Sequence, residues 1–265
     1  MNFLDKVSVL ILTFNEAPNI GRTLDALSAF PEVVVLDSGS TDDTLAIARS
    51  YANVRVCHRS FDNHSAQWNH GLAACGLQRE WVLALDADYV LPGDLVAEIA
   101  GLSPPSDVVG YSTAFTYWIL GKPLSRSLYP PVTTLYRRAV AHYEQDGHTQ
   151  RVQLHGQVLD LRGRIAHDDR KPLAHWLAAQ DRYARLECEL LLSQPWSALR
   201  WRDRLRRMKW ITPWLVPLYC LTVGRGFLDG RAGLYYALQR GVAEAVLSLK
   251  LFEAEWQGRM QVGQR

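Results

Sequence analysis

The chain has 265 residues, of which 48% are hydrophobic and 21% are charged. This composition excludes disorder as the main state and fits one large domain, or one domain with a substantial appendage. The net charge of +2 conceals an asymmetry, because acidic residues outnumber basic ones 13 to 6 in residues 1–100, whereas basic residues outnumber acidic ones 23 to 14 in the remainder. We therefore expect two chemically different parts.

The first hundred residues alternate strand-like and helix-like patterns. Continuous apolar, β-branched runs are typical of strands buried on both faces, and helical spacing of apolar residues follows each run. Such alternation predicts an α/β domain with a mostly parallel sheet. The predicted strands are Val7–Thr13, 33–36, 54–57 and 81–85, and the predicted helices begin near Pro18, after residues 40–43 and near residue 66.

The rest of the chain changes character twice. Residues 108–161 mix short strand-like runs with Gly and Pro, which favours a sheet edge with loops. From about residue 172 the pattern is helical, with a second long helix over about 234–255. The first of these helices is predicted to present Trp176, Leu177, Tyr183, Leu186 and Leu190 on its apolar face. The predicted divisions are residues 1–105, 106–171 and 172–265.

The apolar segments of the sequence predict neither a membrane-spanning helix nor a signal peptide. No apolar stretch reaches ~18 uninterrupted residues, and the first apolar run reads as a buried strand rather than a signal peptide. Cys57, Cys75, Cys188 and Cys220 match no CxxC spacing, so free thiols in a reducing compartment are expected. The histidine spacing matches no HExxH or metal-finger pattern, so zinc is not expected.

Carboxylates follow three of the predicted strands. Glu16 follows the first, Asp37 ends the second, and Asp86 and Asp88 follow the fourth. Ligands of open α/β sheets bind at the carboxyl ends of the strands, and acids that converge there need a cation or hydrogen-bond donors. Asp86-Ala87-Asp88 is the best candidate to hold a divalent ion that bridges phosphate oxygens, although a bare D-x-D is also common in solvated turns. Walker and GxGxxG loops are absent.

Four blocks in this order resemble inverting, GT-A-type glycosyltransferases of family 2, and three later pieces resemble the branch that includes lipopolysaccharide core glucosyltransferases. The blocks are residues 12–16 with 19–20, 35–44, 69–71 and 86–88; the later pieces are residues 165–169, 180–184 and 226–230 with 233–234. The resemblance implies a GT-A-like, Rossmann-type domain followed by a helical C-terminal region.

The resemblance also implies roles for individual residues. Asp37 would hydrogen-bond the base, most often uracil, Asp86 would contact ribose or sugar, and Asp88 would ligate Mg²⁺ or Mn²⁺ between the donor phosphates. Apart from the resemblance, His148 is a candidate to complete the metal shell or contact phosphate, and a surface or hydrogen-bonded structural histidine is the alternative. The full set expected to bind the donor is Thr13, Asn15, Glu16, Asp37, Ser38, Asn69, Asp86 and Ala87.

Inverting transfer needs one general base that takes the proton of the acceptor hydroxyl. Asp146 is the favoured candidate, and Glu144, Asp168 and Asp169 are alternatives. Many relatives have His-Glu where this chain has His148-Thr149. Asp146 also precedes Gly147, as a plain turn aspartate would. His167, with Arg170 and Lys171, is a candidate for donor phosphate binding or a solvated charged loop.

Residues 200–209 carry six basic side chains among tryptophans, ahead of an apolar stretch that prolines interrupt. This composition is typical of a membrane-interface segment, and a solvated helix followed by core packing is the alternative. Nucleic acid is not expected as a partner. We expect an inverting, metal-dependent transferase at the inner face of the cytoplasmic membrane, acting on a glycolipid or saccharide acceptor. The alternatives are a catalytically silent relative and a nucleotidyltransferase.

Overall fold

The computed structural model describes residues 2–146 and 149–262, apart from the side chains of residues 146, 149 and 258–262. The chain divides into two compact units. Unit 1 comprises residues 1–118 and 129–171, and unit 2 comprises residues 119–128 and 172–265.

Unit 1 begins with the alternation that the sequence predicts. Its first part contains β1 (Val7–Thr13), α1 (Ile20–Asp25), β2 (Val33–Asp37), α2 (Thr44–Arg49), β3 (Val54–His58), α3 (His64–Ala74), β4 (Trp81–Asp86), β5 (Tyr89–Val90) and α4 (Gly93–Ala100). Its second part contains β6 (Val108–Ile119), β8 (Val132–Arg137), β9 (His142–Asp146), β10 (Thr149–Gln153) and β11 (Gln157–His167), and the short β7 (Lys122–Pro123) lies in unit 2.

In the described part of unit 1 the main sheet runs in the order β3-β2-β1-β4-β8-β6-β11-β5. The strands β3, β2, β1 and β4 are mutually parallel, whereas β8 is antiparallel to both β4 and β6. The expected α/β fold with a mostly parallel sheet is therefore confirmed. The prediction that residues 108–161 form a sheet edge is wrong for β6 and β8, which lie inside the sheet.

Alternate residues of the central strands pack on opposite faces of the sheet. Val9 and Ile11 belong to one apolar cluster, which also contains Ile20 and Leu24 of α1. Leu10 belongs to a second cluster, with Trp68 and Leu72 of α3. Both faces are therefore covered, which explains why these strands are continuously apolar rather than alternating.

Two of the four cysteines differ from expectation. Cys57 of β3 and Cys75, the residue after α3, are joined by a disulfide, so the prediction of four free thiols is wrong for this pair. The fold brings their Cα atoms within 6.0 Å although 18 positions separate them in the chain. Cys188 and Cys220 are buried free cysteines.

Unit 2 is helical in its described residues, with α5 (Leu173–Ser193), α6 (Trp201–Arg207), α7 (Thr212–Leu221) and α8 (Arg231–Val262). Its small core contains Ala184, Cys188 and Leu191 of α5 together with Leu247 and Leu251 of α8. The predicted helical C-terminal region is confirmed. No helix in the described residues is both long enough and apolar enough to cross a bilayer.

The face of α5 that packs inward is not the one predicted from large apolar residues. Leu177, Tyr183 and Leu186 are exposed, whereas the small side chains of Ala184 and Cys188 are buried. The buried face of α5, which also includes Leu191, packs against Leu247 and Leu251 of α8. The predicted apolar face is therefore wrong for Leu177, Tyr183 and Leu186.

Candidate active site

The carboxyl ends of β1, β2 and β4 bring polar side chains to one edge of the sheet. The parallel register places Thr13 beside Asp37 and Leu12 beside Asp86. Thr13 donates a hydrogen bond to Asp37 Oδ1 at 3.3 Å. The structure thus brings Thr13, Asp37 and Asp86 to the edge where α/β sheets bind ligands.

Asp37 is completely buried and holds the turn that follows β2. Its Oδ2 accepts from the backbone N–H groups of Gly39 and Ser40 at 2.8 and 2.9 Å, and its Oδ1 accepts from the Ser40 hydroxyl at 2.5 Å. His58 Nδ1 lies 3.5 Å from Oδ2. In this conformation the carboxylate of Asp37 accepts hydrogen bonds from the turn that follows β2, and it thereby fixes the shape of that turn.

The loop after β1 is fastened to the loop after β2. Asn15 adopts a left-handed backbone with φ 54°, a conformation that asparagine tolerates better than most residues. Its Oδ1 accepts from the Thr41 N–H at 2.8 Å, and its own N–H donates to Ser40 Oγ at 2.9 Å. Ser38 Oγ accepts from Gln67 Nε2 at 2.9 Å. Asn15 and Ser38 are therefore engaged in holding the loops after β1 and β2 in place.

Asp88 is buried and pairs with His167, whose Nε2 lies 3.2 Å from Asp88 Oδ2. Burial opposes the charge on both groups. The pairing outweighs burial, so the pKa of His167 is raised and that of Asp88 is lowered. Burial and the Asp88 charge both raise the pKa of Asp86. Ala87, between the two carboxylates, accepts a 2.7 Å hydrogen bond at its carbonyl from Thr23.

A carboxylate oxygen and an imidazole nitrogen at this separation can bind one cation. Two adjacent ligands of an octahedral ion with bonds of about 2.1 Å lie about 3 Å apart, and the Asp88–His167 distance matches that value. His167 Nδ1 is buried and has no hydrogen-bond partner among the described residues. The structure thus brings Asp88 and His167 together as candidate ligands, while His148, the predicted second ligand, lies outside the described residues.

Glu16 and Lys171 form a largely buried ion pair near the carboxylate of Asp88. Lys171 Nζ lies 2.5 Å from Glu16 Oε1, and both side chains are largely buried. Burial, followed by the nearby Asp88 charge, raises the pKa of Glu16 to about 7, although Lys171 acts in the opposite direction. The cation of Lys171 is therefore held next to the acids of the strand ends.

The segment after β11 is anchored to α1 by a polar network. Arg22 Nη1 donates to Asp168 Oδ2 at 2.6 Å, and Arg170 Nη2 donates to the same oxygen at 2.9 Å. Asn19 Nδ2 donates to both Glu16 and Asp169 at 2.8 Å. Asp168 and Asp169, two of the candidate bases, are thus both engaged in holding this segment.

Three tyrosines surround the imidazole of His167. The ring centroids of Tyr117, Tyr89 and Tyr129 lie 4.5, 5.1 and 5.2 Å from that of His167. The hydroxyls of Tyr89 and Tyr129 are 2.6 Å apart. These rings restrict the orientation of His167 and give one side of the site an apolar wall.

Asn69, another residue expected to bind the donor, joins β9 to α3 through its side-chain amide. Its Nδ2 donates to the Tyr143 carbonyl at 2.9 Å, and its Oδ1 accepts from the Tyr143 N–H at 2.8 Å. Asp146, the favoured base, ends β9 and pairs through its backbone with Thr149, and its side chain lies outside the described residues. Glu144, an alternative base, accepts from Gln153 at 3.0 Å on the exposed side of this hairpin.

Sequence reasoning missed two features of the site. It offered phosphate binding or a solvated charged loop for His167, whereas the fold places this residue against Asp88. It also did not single out Arg22 or the tyrosines. A signal for the tyrosine wall was present, since Phe115 and Tyr117 alternate on β6 and hence share one face. The pairing of His167 with Asp88 depends on β11 returning beside β5, which spacing alone does not reveal.

With this geometry in view, comparison with known proteins identifies the family. The sequence model described as "Glycosyl transferase family 2" matches residues 8–141, half of the chain. The chain belongs to glycosyltransferase family 2. The matched region of this family 2 chain contains the strand ends with Asp37, Asp86 and Asp88.

Individual relatives match only part of the chain, at 29–35% sequence identity. The lipopolysaccharide core biosynthesis glycosyltransferase LpsC of Rhizobium meliloti is 29% identical over 120 residues, which cover 43% of this chain and 44% of LpsC. An uncharacterized glycosyltransferase of Rickettsia felis is 35% identical over 97 residues, covering 36% of this chain and 33% of that protein. The matches thus span less than half the length of these curated relatives.

A solved structure supports the fold over nearly the whole chain. The structure of S. aureus TarS residues 1–349, in complex with UDP-GlcNAc, superimposes with a TM-score of 0.50 at 16% sequence identity. The superposition covers 96% of this chain and 92% of the TarS chain. At this identity the likeness concerns the fold.

Proposed function

We propose that this family 2 protein is an inverting glycosyltransferase that moves a sugar from a nucleotide diphosphate donor, with UDP favoured, to an envelope glycolipid or polysaccharide such as lipopolysaccharide core. The observation that carries the proposal is the buried Asp88–His167 pair beside Asp86 and the Glu16–Lys171 pair, at the carboxyl edge of the parallel strands. The similarity to LpsC supports the acceptor class, and the UDP-GlcNAc complex of TarS supports the donor class.

A divalent cation, Mg²⁺ or Mn²⁺, fits the ligand atoms that Asp88 and His167 offer. Asp88 and His167 would hold it, because their ligand atoms lie 3.2 Å apart and the acids around them favour positive charge. A bound cation would neutralise the charge that develops on the diphosphate as it leaves. Lys171 contributes a further positive charge from the protein itself, and the Tyr117 ring beside His167 offers the donor sugar an apolar surface.

The metal site is tested by measuring nucleotide binding. Thermal shift of the purified protein with UDP, GDP, CDP and TDP, each with Mn²⁺ or with EDTA, is expected to give a metal-dependent shift with UDP. Asp88→Asn should remove that metal-dependent part, since the variant loses the charge of one ligand. Asp107→Asn, at an exposed aspartate outside the site, is the matched control. A UDP shift that is equal with Mn²⁺ and with EDTA would contradict the proposed metal role.

Asp146 is the proposed general base. Asn69 and Tyr143 tie its strand to α3 through two hydrogen bonds, which limits the positions that the end of β9 can adopt. Asp168 and Asp169 are less suited because arginine and asparagine side chains occupy their carboxylates. The base would accept the proton of the acceptor hydroxyl as that oxygen bonds to the anomeric carbon and the nucleoside diphosphate leaves.

Asp146→Asn is expected to reduce sugar transfer by about 10²–10⁴-fold while UDP binding in the thermal-shift assay is unchanged. Glu144→Gln, two residues earlier on the same strand, is the control and should retain activity. If Glu144→Gln abolishes transfer and Asp146→Asn does not, the base assignment moves to Glu144.

Unit 2 is the part proposed to meet the acceptor membrane, at the inner face of the cytoplasmic membrane. Trp210 and Trp214 are 71% and 79% exposed, and Leu218 on α7 is 59% exposed, so these residues are not core. Arg202, next to the exposed Trp201, adds positive charge. Arg206 does not contribute to this surface, because Glu187 and Glu244 neutralise it internally. Exposed tryptophan beside free cations is the composition of a membrane-interface surface.

A further inference from the structure

Cys57, His70 and Cys75 form a cluster of potential metal ligands that shares no residue with the Asp88–His167 pair. Their ligand atoms all lie within 4.8 Å of one another, and this is the one such group of three in the described residues. Cys57 lies on β3, His70 lies on α3, and Cys75 follows the end of α3. Two secondary structure elements therefore converge to form it.

The surroundings of the cluster suit a bound ion. Cys75 is buried in the apolar cluster beneath α3, and Cys57 packs against it, while Cys57 and His70 retain partial exposure. The His70 ring makes no hydrogen bond or ion pair with another described residue. The cluster is thus shielded on one side and open to solvent on the other, as a site that loads its ion from solution must be.

The chemistry of the three ligands selects the ion. Two thiolates and one imidazole favour Zn²⁺ over Mg²⁺ or Mn²⁺, which prefer oxygen ligands. Zinc bonds of about 2.3 Å to sulfur and about 2.0 Å to nitrogen put tetrahedral ligand atoms about 3.5–3.8 Å apart. In the structure the two sulfurs are bonded to each other, and the three ligand atoms lie within 4.8 Å of one another. Once that bond is reduced, rotation of the side chains would bring the ligand atoms to the zinc distances, on a backbone that holds the cysteine Cα atoms 6.0 Å apart.

We propose that the reduced protein binds one Zn²⁺ ion through Cys57, His70 and Cys75, with water in the fourth position. This site is separate from the Asp88–His167 pair and does not depend on the function proposed above. The sequence alone does not predict this zinc site, because the spacing of its three ligands matches no common metal-binding motif.

The disulfide and the metal are alternative states of the same two sulfurs. Oxidation by hydrogen peroxide removes one electron from each thiolate and forms the S–S bond. The peroxide accepts the two electrons, takes up two protons from the solvent and leaves as two water molecules, and the zinc ion is released. We therefore expect the oxidised protein, which has the disulfide seen in the structure, not to bind zinc.

The test uses the full chain, reduced with a phosphine and stripped of metal. Zn²⁺ is titrated against a chromophoric chelator, and Co²⁺ is used as a spectroscopic probe because thiolate ligands give it a charge-transfer band. We expect one equivalent of zinc and a thiolate–cobalt band. Cys57→Ser and Cys75→Ser should abolish both signals, and His70→Asn should weaken zinc binding by at least about tenfold. Peroxide treatment should abolish binding in the wild type.

Two controls separate this site from others. Cys188→Ser changes a buried cysteine of unit 2 and should leave zinc binding intact, and Asp88→Asn should also leave it intact. Circular dichroism shows whether each variant is folded, and the His70→Asn variant keeps both cysteines in case a serine variant fails to fold. The proposal is overturned if the reduced wild type binds no zinc, if binding survives in both Cys57→Ser and Cys75→Ser, or if His70→Asn binds as tightly as the wild type.

Discussion

Glu16 gives the protein a pH dependence that can be traced to one side chain. Its pKa is about 7 in the folded protein, compared with the ordinary value of 4.5. Between these two values the folded chain keeps a proton that the unfolded chain releases, so stability falls as the pH rises through this window. Because one pKa unit corresponds to about 1.4 kcal/mol, Glu16 should account for a loss of about 2–3 kcal/mol between pH 4.5 and 7.

Glu16→Gln is expected to remove this part of the pH dependence. Urea unfolding of the metal-free protein from pH 4.5 to 7 measures it, as the difference between variant and wild type at each pH. Glu189→Gln, at an exposed position on α5, is the control and should follow the wild type. Parallel stability curves for wild type and Glu16→Gln would show that Glu16 titrates near its ordinary pKa.

For single residues, the sequence predicted position better than contacts: it indicated which side chains lie at the strand ends, but not which partners they have. Thr13, Glu16, Asp86 and Asp88 lie at the strand ends because an apolar run followed by a polar residue fixes that position. Asn69 is different, because its side-chain amide hydrogen-bonds to the backbone of Tyr143, which lies on β9, 74 positions later in the chain. Contacts of this separation follow from the folded topology and leave no local trace in the sequence.

Among the elements, the turn between α7 and α8 depends on the absence of a side chain. A Cβ atom on Gly233, near the start of α8, would lie 1.9 Å from the carbonyl oxygen of Gly226. The two backbone segments must separate to admit even a methyl group, which costs about 1–3 kcal/mol. We expect Gly233→Ala to lower the free energy of unfolding by this amount.

Chemical denaturation followed by circular dichroism measures the effect of Gly233→Ala. Gly93→Ala is the matched control, because a Cβ on Gly93 would meet nothing within 4 Å. Equal stability of the two variants would mean that the segments around Gly226 and Gly233 relax without cost.

The strands of unit 1 also show where prediction of elements succeeds. β1 was predicted with the bounds that the structure has, because Val7–Thr13 is mainly apolar and is buried on both faces. β6 was missed as a long interior strand, since it carries polar residues inside the sheet. One of them, Thr113, is buried because its hydroxyl pairs with that of Thr134 on β8 at 2.8 Å. A buried polar pair is indistinguishable from a solvated one until the partner strand is known.

For the whole molecule, the charge asymmetry of the sequence follows the two units. Unit 1 has 19 acidic and 13 basic residues, and unit 2 has 8 acidic and 16 basic residues. Each basic residue near an anionic surface adds about 1 kcal/mol of attraction, and salt screens this attraction. We expect sedimentation with phosphatidylglycerol vesicles at low salt, less at high salt, and little with phosphatidylcholine vesicles.

The apolar part of this binding is assigned to α7. Trp214→Ser combined with Leu218→Ser should reduce vesicle binding at every salt concentration, because the change removes exposed apolar area and leaves the charge intact. Leu249→Ser is the control, since Leu249 is 67% exposed on α8. An equal loss in the control, or strong binding to neutral vesicles, would argue against a surface centred on α7.

The terminal position of β3 in the sheet bears on how the protein behaves when it is concentrated. A strand at the edge offers unpaired backbone groups to strands of other molecules, which is a route to aggregation. Arg55 of β3 donates to the carbonyls of Cys75 and Gly76 and pairs with Glu32, while its side chain stays 47% exposed. A foreign strand that docked along β3 would come next to this half-exposed charged side chain, and a charge on an edge strand opposes intermolecular β-pairing.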